Sequence, residues 1–227
     1  MTIPFEHYLT VNGGKLAVFE WPGKGPPLFF VHATGFHARC WNQVIAQLSG
    51  HHCYAIDMRG HGRSHKPSPP YHWRSFAEDL AALGTMLNLD GAFGIGHSMG
   101  GHSLALATAL SPDLFAKLLL LDPTILTKSL YTGRALEQTH FATRRRNLWS
   151  SADEMYQRFK DRNPFARWNS AVLRDYCDYG LLPNENGEGL MLACPPIIEG
   201  AIYNHSTETD IYYQIATIKI PVQILCK

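Results

Sequence analysis

The sequence predicts an α/β protein, a mostly parallel sheet covered by helices on both faces and carrying a helical insert. Three observations lead there. Short β-rich runs alternate with helical patterns through the first half of the chain, the sequence form of repeated β-α units. Strand signals then stop after Pro123 for about ninety residues and return only near the end. Finally, 45% of the 227 residues are hydrophobic and only 17% charged, which supplies a sizeable core and excludes a disordered chain.

Phe5 to Val11 and Lys15 to Trp21 flank Asn12-Gly13-Gly14, a hairpin signal, because Asn and Gly tolerate the positive φ of a tight turn between twisted strands. Pro27 to Ala33, His51 to Asp57, Ala92 to His97 and Lys117 to Asp122 follow as core strands. Between them Ala38 to Leu48, Trp73 to Leu87 and Ser98 to Leu110 space apolar residues three and four apart, and the last helix stops at Ser111-Pro112. Beyond Pro123, helix-like stretches are broken by Asn163-Pro164, Pro183-Asn184, Gly187 and Pro195-Pro196. A last strand, Val222 to Cys226, follows Ile220-Pro221. The expected organisation is residues 1–122 as the N-terminal part of the core, 123–215 as a helical cap subdomain and 216–227 as the return to the sheet.

Twenty basic against nineteen acidic residues leave a net charge of +1, so no overall field draws the chain to nucleic acid or to an anionic membrane. A small-molecule partner is expected instead. Five cysteines (Cys40, Cys53, Cys177, Cys194 and Cys226), an odd number without a C-x-x-C pair, argue against a disulfide framework and a zinc ribbon, and favour a reduced, cytoplasmic setting. The start has neither a basic segment nor an apolar stretch of signal-peptide form, and the longest aliphatic run, Leu118 to Leu121, is far too short to span a bilayer.

The chemistry-bearing motif is Gly96-His97-Ser98-Met99-Gly100, a G-x-S-x-G placed where a strand runs straight into a helix. A serine on so sharp a turn adopts a strained backbone, and flanking glycines remove the Cβ atoms that would block it. Ser98 is thus the candidate nucleophile, with Gly96, His97 and Gly100 supporting the elbow. The helix that follows offers its positive end, so the Met99 N–H can meet an oxyanion. A dinucleotide fingerprint does not fit, because the third glycine position is Met99.

Two more segments carry a family resemblance. Val31-His32-Ala33-Thr34-Gly35 ends the third strand, with Trp41 nine residues after His32, and Asp57-Met58-Arg59-Gly60-His61-Gly62-Arg63-Ser64 ends the fourth. Together with the elbow, in this order, they resemble the α/β-hydrolase fold superfamily over residues 28–122, and Ile218-Lys219-Ile220-Pro221-Val222 resembles the lead-in to its seventh strand. The resemblance implies a serine hydrolase that needs no cofactor, with a cap after strand six and a second oxyanion N–H at Thr34, Ala33 replacing the usual glycine. Serine at the elbow, where dehalogenases and epoxide hydrolases of this fold carry aspartate, argues against those members.

The resemblance also implies an acid after strand seven and a histidine after strand eight, whereas the sequence stops at Cys226-Lys227. The expectation is a fragment of a longer hydrolase, without strand eight and the C-terminal helices and with an exposed apolar edge at Val222 to Cys226. Asp122 is the internal candidate for the acid, but an Asp-Pro turn at a strand end is the preferred reading of it. His32 and His97 are read as structural. His51, His52, His61, His65 and His72 have no ordered ligand set around them, so no metal is expected. Arg144-Arg145-Arg146, with Arg134 and Arg158, read as a solvated face, and Phe141, Trp149, Phe159, Phe165, Trp168 and Tyr203 mostly as the insert's own core. The expected function is hydrolysis of a small or medium carboxylic ester or related acyl compound through an acyl-Ser98 intermediate, the alternative being a catalytically inactive ligand-binding or regulatory protein.

Overall fold

Two residues close the first hairpin. Strands β1 (Phe5–Val11) and β2 (Gly14–Trp21) pair antiparallel with Val11 opposite Gly14, and Asn12 and Gly13 take φ of 47° and 81°, the left-handed pair that matches strand twist. The computed structural model describes residues 3–136, 140–185 and 187–226. Next come β3 (Lys24–Val31), the short helix α1 (Asn42–Ala46), β4 (His51–Ile56), α2 (Trp73–Met86), β5 (Ala92–His97), α3 (Met99–Leu110) and β6 (Phe115–Leu121). The insert holds β7 (Leu148–Trp149), α4 (Ala152–Phe159), α5 (Ser170–Tyr179), β8 (Leu181–Pro183), β9 (Leu190–Leu192) and α6 (Pro196–Asn204). Helix α7 (Tyr212–Ile215) leads to β10 (Val222–Leu225).

The main sheet runs β1-β2-β4-β3-β5-β6-β10, antiparallel over its first three strands and parallel from β4 to β10. Side chains alternate across it. Phe29 faces one core with α2 and α3, whereas its neighbour Phe30 faces a second core with Trp41 and Ile45. Helix α2 buries one stripe, Trp73, Phe76, Ala77, Leu80 and Leu83, while α3 is buried from Met99 to Thr108 and forms the centre of its layer.

Three departures from the sequence reading have local causes. Residues 38–48 are not one helix but a tight 3-10 turn, Ala38–Trp41, followed by the five-residue α1. The Asp57 carboxylate from the end of β4 takes the Ala38 N–H at 2.7 Å and pins the start of that turn. The segment read as a helical insert contains an antiparallel three-stranded sheet, β7-β9-β8, whose strands of two or three residues are too short to show a period of two. Arg145, read as part of a solvated face, turns inward to Glu199 and donates to Tyr176 Oη at 2.7 Å.

Trp149, Phe159, Phe165 and Trp168 pack with Met155, Leu173 and Tyr176 into a cluster belonging to the insert, whereas Phe141 is exposed. Ile198, Ile202 and Ile211 instead join the main core. Strand β10 carries Val222, Ile224 and Leu225 largely exposed at the sheet edge. Beside it lies a cavity of about 690 Å³, lined by sheet residues such as Phe30, Ile95 and Leu119. All five cysteines are free thiols. Among the described residues no helix is long and apolar enough to cross a membrane.

Candidate active site

Ser98 sits between β5 and α3 with φ 52° and ψ −115°, a conformation that costs a residue with a Cβ of the order of 1–3 kcal/mol. Three backbone hydrogen bonds hold it there: its N–H donates to Leu121 O at 2.9 Å, and its carbonyl accepts from His102 N and Thr124 N at 3.1 and 3.2 Å. A Cβ on Gly96 would lie 2.6 Å from Gly100 O, and one on Gly100 would lie 2.4 Å from Val31 O. The two glycines therefore let the start of α3 press directly onto β5 and the end of β3.

That contact brings Met99 against the β3 loop. Thr34 Oγ1 donates to Met99 Sδ at 3.3 Å, and both residues are buried. Among the described residues no turn, loop or cap hydrogen bond takes up the N–H of Thr34 or of Met99. Gly35 turns the loop at φ 78°.

The D-x-R-G-x-G-x-S segment holds this loop from behind. Asp57 accepts from Ala38 N and Arg63 N, each at 2.7 Å, and a Cβ on Gly62 would lie 1.9 Å from its carboxylate. Ser64 Oγ accepts from Ala17 N at 2.8 Å and donates to the Asp57 carbonyl. His61 Nε2 accepts the Gly35 N–H at 3.0 Å, so its proton is on Nδ1, which donates to Arg59 O at 3.0 Å. His32 repeats the pattern, accepting Met58 N at Nε2, 3.0 Å, and donating from Nδ1 to Ala33 O, 2.8 Å. Burial lowers the pKa of both rings, His61 the further, and both stay neutral.

Ser98 Oγ lies 3.0 Å from Thr124 Oγ1. His102, one helical turn after Ser98, donates from Nδ1 to Thr124 O at 3.1 Å and meets Trp73 edge-on at 4.9 Å, while its Nε2 is buried without a partner. Burial pushes this ring down to about 4, against the opposing pull of Thr124 O. Among the described residues no imidazole is hydrogen-bonded to Ser98 Oγ.

His97 has its ring edge against Phe36 and lines a cavity of about 190 Å³ together with His32, Ala33, Trp41 and Trp168. This smaller cavity, not the 690 Å³ one, joins the β3 loop to the insert. Phe36 stacks on Trp168 at 5.5 Å. Arg145 and Glu199 form a half-buried ion pair against the same loop, since a Cβ on Gly35 would meet Glu199 Oε1 at 2.6 Å. Asp122 is exposed at the end of β6 with φ 44°, its N–H on Leu225 O at 2.7 Å, and no hydrogen bond links its carboxylate to an imidazole among the described residues.

The structure thus brings Ser98, Met99, Thr34, Gly96 and Gly100 together, and among the described residues no histidine is hydrogen-bonded to the Asp122 carboxylate. Sequence reasoning missed the positioning roles of His61 and Thr124. His61 occupies a variable place inside its motif, and Thr124 follows Asp122-Pro123 with no pattern to mark it.

A serine elbow between a parallel strand and a central helix, beside a glycine turn ending the neighbouring strand, defines an α/β-hydrolase fold. Residues 28–197 match the model of the alpha/beta hydrolase family, and the chain belongs to that family. It is similar to a non-heme chloroperoxidase of Streptomyces lividans, 39% identical over 126 residues, 53% of this chain and 46% of that protein. It also resembles an esterase of Mycobacterium tuberculosis, 32% identical over 122 residues, 53% of this chain and 41% of that protein. The chain spans under half the length of these two relatives. Among solved structures, E-2-(acetamidomethylene)succinate hydrolase superposes with a TM-score of 0.79 at 23% identity, over 97% of this chain and 80% of that one, a likeness of fold.

Proposed function

We propose that this chain carries the nucleophile and oxyanion half of a serine hydrolase acting on a small or medium carboxylic ester or related acyl compound. Ser98 Oγ attacks the acyl carbon, the leaving group departs, and water releases the acid from acyl-Ser98. The Thr34 and Met99 N–H groups receive the oxyanion at the positive end of α3. The observation that carries this reading is the backbone of Ser98, held at φ 52° by three hydrogen bonds and admitted only by glycines at 96 and 100. Strain of this kind at a strand-to-helix turn supports presentation of the side chain.

The mechanism requires a histidine base and an orienting acid. Ser98 Oγ meets a threonine rather than an imidazole, and we place the base outside the described residues, with Asp122 the acid candidate within them. Residues 123–215 serve in this reading as a cap, Trp168 of which stacks on Phe36 of the β3 loop. The name of one relative, an esterase, supports ester chemistry. Rapid mixing with an activated ester tests the proposal: the protein from its native source should give a burst of one equivalent per chain, and Ser98→Ala none. Equal bursts from both would reject it.

The Ser98–Thr124 contact also favours a second reading, a ligand-binding protein that retains the elbow without turnover. Under it, native protein binds acyl compounds with no burst at all.

A further inference from the structure

The cluster in question lies where α2 begins and the insert returns to the core. His72 directly precedes α2, and His205 and Glu208 follow α6. Glu208 Oε2 lies 2.9 Å from His72 Nδ1 and 3.0 Å from His205 Nδ1. One donor atom from each of the three residues falls within 4.8 Å of the other two. In a tetrahedral site with bonds near 2.0–2.2 Å, donors stand about 3.3 Å apart, and the two nitrogen–oxygen edges of this triangle approach that length.

We propose that His72, His205 and Glu208 bind a divalent transition-metal ion, with zinc as the best-matched probe, and that the ion clips the insert to the core. Two imidazoles and a carboxylate are the borderline donor set that first-row divalent metals take, and the exposure of His72 leaves a fourth position for water. Convergence on a single carboxylate oxygen sets this cluster apart. Glu20 also takes two imidazoles, but His7 and His52 go to separate oxygens, which does not gather three donors at one point.

The backbone holds the donors in place without the ion. Trp73, next to His72, donates from Nε1 to Ile202 O at 2.8 Å and so fixes α2 against α6. His205 N reaches Ile202 O and Glu208 N reaches His205 O, both at 3.2 Å, so one turn sets the second and third donors. The sequence could not reveal this set, because Glu208 lies 136 residues beyond His72. Binding requires each ring to carry its proton on Nε2 and turn the Nδ1 lone pair to the metal. An ion held by both segments stabilises their contact by mass action.

Calorimetric titration of zinc into chelator-treated protein tests the site, with the melting temperature read alongside. The expected result is one equivalent bound, a higher melting temperature, and affinity at least ten-fold weaker in His205→Ala and in Glu208→Gln. Glu208→Gln keeps the size of the side chain and its capacity to accept from the imidazoles, so it separates ligation from folding. Both metal-free variants should melt with the metal-free parent. Cobalt in place of zinc should give the visible bands of a tetrahedral N/O site, lost in both variants. Failure to bind one equivalent, or binding unchanged in both variants, would overturn the proposal.

Discussion

His61 Nε2 accepts the N–H of Gly35 at 3.0 Å, and through that bond the loop after β4 fixes the turn after β3 on which Thr34 stands. His61→Leu should leave a buried N–H without an acceptor, at a cost of about 1–3 kcal/mol in urea unfolding. His61→Gln, able to accept from the same N–H, should recover part of it. Equal losses in the two variants would mean that the ring contributes only packing.

Gly100 is a second test of how the elbow is built. Gly100→Ala places a Cβ 2.4 Å from the Val31 carbonyl, where neither α3 nor β3 can yield cheaply. We expect a loss of about 1–3 kcal/mol or more on chemical denaturation. A substitution without effect would show that α3 does not press onto β3.

The buried histidines make stability depend on pH. Burial first, against hydrogen bonds to Tyr176 O and Thr124 O, holds His37 and His102 down to about 4 from the ordinary 6.5. The unfolded chain therefore takes up their protons first, so their stabilising effect is complete above 6.5 and declines as the pH falls toward 4. The slope is about 1.4 kcal/mol per pH unit for each ring. His102→Gln should flatten the melting profile between pH 6 and 4.5 by about one proton, and an unaltered slope would contradict the assignment.

Thr124 separates occupancy of the site from chemistry. If its hydroxyl only holds Ser98 Oγ in place, 3.0 Å away, Thr124→Val should change the rate of acylation by an activated ester less than ten-fold. Loss on the scale of Ser98→Ala would instead make Thr124 part of the proton path.

The sequence made the framework legible wherever local chemistry dictates it. Asn12-Gly13 can only turn, and Gly96 and Gly100 can only be glycine where backbone meets backbone. The strands of the main sheet were readable to within a few residues because apolar runs bounded by turns carry their own punctuation. Residues 38–48 escaped because the carboxylate that pins the start of their 3-10 turn, Asp57, comes from another strand. The same holds for His61 with Gly35, Arg145 with Glu199, and His72 with Glu208: each is a long-range pair whose partner periodicity cannot name. The small sheet in the insert was hidden for a different reason, strands too short to show a pattern.

Whether Ser98 accepts an acyl-like group is read from the intact mass of the protein from its native source before and after treatment with a fluorophosphonate, followed by peptide mapping. One adduct per chain, located on Ser98 and abolished by Ser98→Ala, is the predicted result. Folded protein that gains no adduct, or gains it equally in Ser98→Ala, would contradict the account and leave ligand binding as the function of this site.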